Sequence, residues 1–197
     1  MPDEARRGRL FLALPLSADA RQQLAEHCRD LRSISWLRVS AADKHHVTLQ
    51  FFGAMPPQRV AAAECMLATV AEEGVATALT FGGLAALPPR GAPRVIYARP
   101  TGPTIGVEQL IQSARAAALE QGFAVDRRPP LPHVTVARSR GSRGGRSTRQ
   151  RLPGGALTAW ATPVTAQVTA VTLYASHSRP GGAVYEELAT RRLAAAS

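Results

Sequence analysis

The feature that most constrains this chain is a short sequence that occurs twice. Residues 45–53 read His-His-Val-Thr-Leu-Gln-Phe-Phe-Gly and residues 132–138 read Pro-His-Val-Thr-Val-Ala-Arg, so both contain His-Val-Thr followed by an aliphatic residue. Both are typical of β-strands, in which successive side chains point to opposite faces. The histidine and threonine of each copy should therefore share one face. Because the copies lie close to half a chain apart, we expect two lobes that each present one His/Thr pair to a shared cleft.

Two imidazoles that face one cleft suit paired acid–base catalysis, because one histidine can be neutral near pH 7 while the other is protonated. Phosphodiester cleavage needs such a pair: a base for the attacking water and an acid for the leaving oxygen. The threonine hydroxyls would be donors to non-bridging oxygens. A purely structural role of both histidines in their strands is the alternative that the residues alone leave open.

The sequence contains no H-E-x-x-H, no acidic triad near either motif and no Walker sequence. We therefore expect a mechanism without metal or cofactor. The formal charge is +10 and the sequence pI is near 11.2, which favours RNA or DNA over a membrane as partner. Lys44 is the only lysine, and a coding bias towards alanine and arginine would give the same balance.

The 197 residues with 45% hydrophobic side chains predict one packed bilobal domain over residues 1–197. No apolar run approaches the ~20 residues of a membrane span. Cys28 and Cys65 are predicted to be two buried free thiols on helices, which fits a reducing compartment, and we expect a cytoplasmic monomer.

Short apolar runs alternate with helical patterns, which predicts an α+β fold with antiparallel sheets. The predicted strands are 10–14, 34–39, the two motif segments, 78–87 with a bulge at Gly82-Gly83, 94–98, 167–175 and 183–188. The predicted helices start after a Ser17 cap, at Pro56-Pro57 and near Pro103, with a short fourth one around 157–161. Residues 139–151, rich in arginine, glycine and serine, should form a mobile loop, either an electrostatic arm for RNA phosphates or a solvated connection.

At the two motifs the sequence closely resembles the two-histidine phosphoesterases, which are defined by paired H-x-[TS]-hydrophobic motifs. More specifically it resembles their RNA 2′,3′-cyclic phosphodiesterase branch, historically called 2′-5′ RNA ligase. The resemblance covers most of the chain, and it includes residues 9–15, the Trp36 segment, both motifs, 173–176 and 181–185.

This resemblance implies a bilobal fold with two pseudo-symmetric antiparallel sheets, flanked by helices, around a central cleft. It implies hydrolysis of the 2′,3′-cyclic phosphate at an RNA end to a 2′-phosphate. His46 would protonate the leaving 3′ oxygen, His133 would activate water, Thr48 and Thr135 would bind phosphate oxygens, and Arg138 would contact the phosphate. The division of acid and base between the two histidines is not fixed by the residues.

Several neighbouring residues have two interpretations. Phe51 or Phe52 could stack on a base or pack in the core, and Tyr185 and His177 are candidates for the rim of the site. His45 would either perturb its neighbour or face the other side of the strand, as alternation favours. A non-catalytic RNA-binding module is the competing functional class, and 2′-5′ ligation of RNA ends would be a side activity.

Overall fold

The structure is a computed structural model that describes residues 8–140, 152–179 and 182–196. Within these ranges the chain forms nine strands and three α-helices, with short 3₁₀ turns between them. The elements are β1 (Arg9–Pro15), α1 (Ala18–His27), β2 (Leu37–Val39), β3 (His46–Ala54), α2 (Val60–Glu73), β4 (Thr77–Leu87), β5 (Val95–Pro100), α3 (Ile105–Glu120), β6 (Val134–Ser139), β7 (Ala159–Val168), β8 (Ala170–Arg179) and β9 (Gly182–Arg192).

The strands form one sheet in the order β7-β4-β5-β6-β3-β1-β8-β9, with β2 added to β6. All pairs of these strands are antiparallel. The sheet has two halves, lobe 1 (β1, β3, β8, β9) and lobe 2 (β4, β5, β6, β7, with β2). They meet where β3 pairs with β6 through Val47 and Val134, both fully buried. The predicted α+β fold with two pseudo-symmetric antiparallel halves is confirmed, and the halves are joined edge to edge at this pair.

Each lobe contributes four strands to the main path of the sheet, which can be counted outward from the seam. A motif strand lies innermost, followed by β1, β8 and β9 in lobe 1 and by β5, β4 and β7 in lobe 2. Lobe 2 comes from one stretch of the chain between residues 77 and 168, apart from β2. Lobe 1 combines strands from before residue 55 with strands from after residue 169.

The helices cover one face of the sheet, because their apolar stripes match its buried side. α2 and α3 pack on each other; α2 contacts β8 and β9, and α3 contacts β3 and β4. The predicted stripes are confirmed, with Leu67 and Val70 of α2 and Leu110 and Ala114 of α3 buried. Ser17 caps α1 as predicted, its Oγ accepting a hydrogen bond from the amide of Ala20 at 3.2 Å. One cluster of buried apolar side chains extends beneath both lobes, while a single domain over all of residues 1–197 stays a prediction.

Four predictions about local structure are wrong. The expected strand 34–39 is confined to β2 (Leu37–Val39), because residues 34–36 form a turn in which the amide of Leu37 donates to the carbonyl of Ile34 at 2.9 Å. The expected helix around 157–161 is a turn followed by an edge strand, because Gly155 takes φ +84° and Ala159 already pairs with Gly83 in the sheet. The expected strand 167–175 is divided at Thr169 into β7 and β8. Cys65 is exposed, since the buried stripe of α2 leaves its position facing outward. Other expectations held, including the irregular register at the two glycines of β4 and its hairpin with β5.

Cys28 is buried as predicted, and burial raises the pKa of its thiol to about 12. The predicted mobile loop begins later than residue 139, because Ser139 ends β6 and Arg140 donates from its backbone amide to the carbonyl of Trp36 at 2.8 Å. Residues 141–151 of that prediction lie outside the described residues. In the part of the chain that the structure describes, no helix is both long and apolar enough to cross a membrane.

Candidate active site

The two motif pairs lie on either side of the seam between the lobes. His46 and Thr48 flank the buried Val47 on β3, and His133 and Thr135 flank the buried Val134 at the start of β6. Each of the four polar side chains is partly exposed, as strand alternation predicts for the face opposite the valines. Because Val47 and Val134 are Cα partners, the two His/Thr pairs lie on neighbouring strands across the seam, and the charge of His133 contributes to the lowered pKa of His46.

Each imidazole is oriented in the same way. Nδ1 of His46 lies 2.9 Å from the carbonyl oxygen of Lys44, and Nδ1 of His133 lies 2.7 Å from that of Leu131. A carbonyl oxygen only accepts, so in each neutral ring Nδ1 carries the proton and donates it to this bond. Nε2 then keeps its lone pair. The backbone two residues before each histidine therefore fixes both the tautomer and the orientation of the ring.

Burial lowers the pKa of both histidines. The pKa of His46 falls to about 4, chiefly through desolvation, with the charges of His45, His133 and Arg138 acting in the same direction against the hydrogen bond to Lys44. The pKa of His133 is lowered by burial and by Arg138. Both rings are thus neutral at pH 7 until an anion lies beside them, and a phosphate would raise both pKa values.

A β-bulge follows the motif threonine in both lobes. Thr48 and Gln50 of β3 pair with consecutive residues of β1, and Thr135 and Ala137 of β6 pair with consecutive residues of β5. The extra residue in each motif strand reverses the alternation that held up to the threonine. The bulge is therefore part of the pseudo-symmetry, and it decides which later side chains reach the cleft.

This reversal turns the side chains of Phe51 and Arg138 towards the cleft. Each residue lies five positions after its motif histidine. Phe51 is 53% exposed, while its neighbour Gln50 is buried and donates from Nε2 to the carbonyl oxygens of Phe51 and Ala124. Arg138 is exposed, and its charge lowers the pKa of His46 and His133. Equivalent positions of the two lobes thus present an aromatic ring and a guanidinium.

Three aromatic rings, those of Phe11, Tyr174 and Tyr185, lie around His46 in lobe 1, and Phe51 stacks on Phe11 at 6.2 Å. These four residues form an aromatic cluster. The ring centroid of Phe11 lies 5.0 Å from that of His46, 5.3 Å from Tyr174 and 5.2 Å from Tyr185. Tyr185 also approaches His46 edge-on at 5.3 Å. Burial raises the pKa of both tyrosines, so they remain protonated. These rings provide an apolar wall beside the imidazole.

Sequence reasoning missed Phe11. The run Leu10 to Leu14 looks uniformly apolar and so predicts a strand buried on both faces. In the structure Leu10, Leu12 and Leu14 join the core, whereas Phe11, although only 3% exposed, lies with the rings of the cleft. The signal was the single aromatic residue in an otherwise aliphatic run.

The remaining candidates from the sequence, Phe52, His177 and His45, lie in three different surroundings. Phe52 packs on Phe123 at 5.1 Å against the core, which is the alternative that the sequence left open. His177 bonds through Nε2 to the Glu186 carboxylate at 2.9 Å. His45 is 2% exposed and its burial lowers its pKa. It faces away from His46, as alternation favours, and its charge still adds to the lowered pKa of that ring.

In lobe 2 the ring of Tyr97 meets His133 edge-on at 5.3 Å. The residues that the structure describes contain no group of three or more His, Cys, Asp or Glu side chains placed to hold a metal ion. The site thus consists of two oriented imidazoles, two hydroxyls, a guanidinium and an aromatic cluster.

Known proteins resemble this chain in sequence and in fold. The RNA 2′,3′-cyclic phosphodiesterase of Geobacillus stearothermophilus is 31% identical over 134 residues, 68% of this chain and 42% of that protein. The protein of the same name from Bacillus subtilis (strain 168) is 27% identical over 138 residues, 70% of this chain and 74% of its own length. This chain thus spans less than half of the Geobacillus relative.

The crystal structure of TT0787 of Thermus thermophilus has a similar fold, with a TM-score of 0.79 and 23% identity over 96% of this chain and 100% of that one. A family model described as the 2′-5′ RNA ligase superfamily matches residues 15–180. Because that match spans most of the chain and contains both His/Thr pairs, the chain belongs to the 2′-5′ RNA ligase superfamily.

Proposed function

We propose that this protein hydrolyses the 2′,3′-cyclic phosphate at an RNA end to a 2′-phosphate, without a metal ion. The observation that carries the proposal is the pair of imidazoles at the seam, each with Nδ1 bonded to a backbone carbonyl and Nε2 left to exchange a proton. The names of the Geobacillus and Bacillus relatives support the substrate class.

The reaction needs one proton removed and one proton supplied. His133 accepts a proton from water at Nε2 while the water oxygen bonds to phosphorus. The bond from phosphorus to the 3′ oxygen breaks, and that oxygen takes a proton from Nε2 of His46. One water is consumed, and exchange with solvent restores the starting protonation of both rings.

The lowered pKa of His46 is compatible with the acid role only if the substrate changes it. A cyclic phosphate carries one negative charge, and an anion beside an imidazole favours the protonated ring. His46 would therefore take up its proton together with the substrate. The wall of rings around it keeps water away and strengthens this electrostatic coupling.

The remaining groups of the cleft fit a phosphate and a base. Thr48 and Thr135 supply hydroxyl donors to non-bridging oxygens, and Arg138 supplies the charged donor that stabilises the developing negative charge. The exposed ring of Phe51 offers a stacking surface for the terminal base, and it stacks on Phe11, whose ring Tyr185 approaches edge-on.

The test is incubation of a short RNA ending in a 2′,3′-cyclic phosphate with the protein and EDTA. We expect conversion to a product that resists an enzyme specific for 3′-phosphates, which identifies a 2′-phosphate. A reaction stopped by EDTA and restored by a divalent ion would contradict the metal-free mechanism. His133→Asn is the negative control, because it keeps a polar side chain and removes the imidazole that exchanges the proton.

A non-catalytic RNA-binding module is the second candidate, favoured by the net charge of +10. It predicts salt-dependent binding of the same RNA with no turnover. End joining through a 2′-5′ bond would be the reverse of related chemistry. Without nucleotide activation we expect it only as a side activity, detectable at high concentrations of RNA ends.

A further inference from the structure

Two arginines face each other directly across neighbouring strands at the edge of the site. Arg38 of β2 is the Cα partner of Arg138 of β6, within the short ladder that joins these strands. Side chains of directly opposed residues lie on the same face, with Cβ atoms about 4.5–5.5 Å apart. Like charges in that position destabilise a sheet. A bound anion between the two side chains would relieve this repulsion.

The described residues do not supply such a negative charge. Among the carboxylates that the structure describes, none makes a salt bridge with Arg38 or Arg138. Both side chains are exposed. Arginine presents its donors as a planar fork that matches the oxygens of a phosphate. A pair of such forks side by side is suited to a ligand with more than one phosphate.

Arg38 also reaches across the cleft from lobe 2 to lobe 1. Its Nη1 lies 3.6 Å from the position that a Cβ atom would take on Gly182, the first residue of β9. That strand carries Tyr185 of the aromatic cluster three residues later. The guanidinium of Arg38 thus lies between the two lobes, at one side of the cleft.

The two arginines differ in their distance from the reacting groups. Arg138 lies on the motif strand β6 itself, five residues after His133, whereas Arg38 lies on the adjoining strand β2 with its guanidinium beside Gly182. Arg138 is therefore the nearer of the two to the motif pairs along the sheet, and Arg38 lies one strand further out. In an RNA strand the next phosphate lies one nucleotide away from the terminal one.

We propose that Arg38 binds the internucleotide phosphate that precedes the terminal cyclic phosphate, and so makes the protein prefer RNA of two or more nucleotides to a mononucleoside cyclic phosphate. This inference rests on the proposed function, because it takes the reacting phosphate to lie at Arg138. It adds a specificity-determining residue outside the two motifs.

The experiment compares two substrates, a mononucleoside 2′,3′-cyclic phosphate and a dinucleotide that ends in one. For Arg38→Gln we expect kcat/KM for the dinucleotide to fall about tenfold through KM, the order expected for one lost charge-assisted hydrogen bond. The mononucleotide should be unaffected. The slope of log KM against log salt for the dinucleotide should fall by about 0.7, the value for one phosphate contact on a single strand. Arg192→Gln, at the far end of β9, is the matched control and should change neither substrate.

Stability provides a second readout. Because Arg38→Gln relieves the repulsion between opposed charges, its Tm should equal or exceed that of the unchanged protein. An equal loss on both substrates would place Arg38 at the terminal phosphate, and no loss on either would remove it from the RNA site; both outcomes overturn the inference.

The proposed function fails separately, if the unchanged protein hydrolyses neither substrate. The inference is then decided by calorimetric titration with a dinucleotide that ends in a 2′-phosphate and with the matching mononucleotide. Weaker binding of the dinucleotide alone by Arg38→Gln would uphold it, and unchanged binding would reject it.

Discussion

The two lobes share a scaffold and differ in what they present. Each has a His/Thr pair on its innermost strand, a carbonyl that orients the imidazole and a bulge after the threonine. After the bulge, lobe 1 presents Phe51 as the exposed member of the aromatic cluster, and lobe 2 presents Arg138 opposite Arg38. A symmetric backbone thus holds two equivalently oriented imidazoles, while one position in each strand divides the cleft into an apolar side and a cationic side.

This division would give the substrate a direction. A nucleotide has a flat apolar base at one end and a phosphate at the other, so only one orientation satisfies both sides of the cleft. Because the two histidines are equivalently placed, the backbone alone does not assign one as acid and the other as base. The flanking residues would decide which ring lies beside the 3′ oxygen. Five experiments can contradict this comparison or define it more closely.

The largest effect should come from removing either imidazole. We expect His46→Ala and His133→Ala each to lower kcat/KM by roughly 10²–10⁴-fold, as for loss of a general acid or base. Single-turnover rates with the cyclic-phosphate RNA measure this. Full activity in both variants would sink the proposed mechanism.

The same variants can separate the two lobes with a diester that has a p-nitrophenyl leaving group. This leaving group departs as an anion without being protonated. The reaction of this substrate therefore needs the general base but not the general acid. His46→Ala should recover most of its rate on this substrate and His133→Ala should not. The opposite result would exchange their roles.

Replacing the charged residue of lobe 2 should have the next largest effect. Arg138→Gln removes a donor to the developing charge, and kcat/KM should fall by roughly 10²-fold. Since Arg138 lowers the pKa of both histidines, its loss raises these values. A base with a higher pKa loses its proton at a higher pH, so the acidic limb of the pH–rate profile should shift to higher pH. An unchanged limb would show that this charge does not reach the imidazoles.

Acid stability compares the surroundings of the two rings. The pKa of His46 is about 4 in the folded protein, against about 6.5 in an unfolded chain. Between those values the unfolded chain binds a proton that the folded protein does not, so the free energy of unfolding falls as pH falls from 6.5 to 4. His46→Gln should remove on the order of 2 kcal/mol of that fall, and His133→Gln less.

Urea unfolding at pH 7 and pH 4.5 measures this difference. His27→Gln is the control, because that exposed ring stacks on Trp160 away from the cleft. If the free energy of unfolding fell equally between pH 7 and pH 4.5 in the unchanged protein and in His46→Gln, His46 would not be a buried neutral imidazole.

The smallest effect should come from the aromatic residue of lobe 1. Phe51→Ala should raise KM for an RNA end roughly tenfold and leave kcat nearly unchanged, since stacking on a base contributes about 1–3 kcal/mol. Phe52→Ala, which loses core contacts to Phe123, should instead lower the free energy of unfolding. If both variants changed KM alike, the stacking role of Phe51 would be wrong.

The sequence predicted the two His/Thr pairs and their placement at one seam, because strand alternation holds for the first three residues of each motif. The same rule fails after the threonine. It places Gln50 and Ala137 beside the histidines, whereas the bulges bury both and turn Phe51 and Arg138 towards the cleft. A bulge depends on pairing with another strand, so one strand's own pattern does not reveal it.

Long-range pairing explains the other misses. Phe11 and Tyr174 come together only because β1 pairs with β8, more than 150 residues later in the chain. Arg38 lies opposite Arg138 only because β2 pairs with β6. The turn that replaces the expected helix near 157–161 exists because Ala159 pairs with Gly83. Local propensity carries no information about these partners.

The composite origin of lobe 1 has a consequence for how the protein is made. Ribosomal synthesis delivers β1 and β3 first, yet their outer neighbours β8 and β9 come last, after all of lobe 2. Contacts so distant in sequence slow folding, because the intervening chain must be closed into a loop before they form. A chain stopped before residue 170 would therefore leave the outer edge of β1 unpaired and Phe11 without Tyr174 and Tyr185. The aromatic wall around His46 therefore forms only after the residues of lobe 2 have been synthesised, so a nascent chain acquires lobe 2 before it acquires both sides of the cleft.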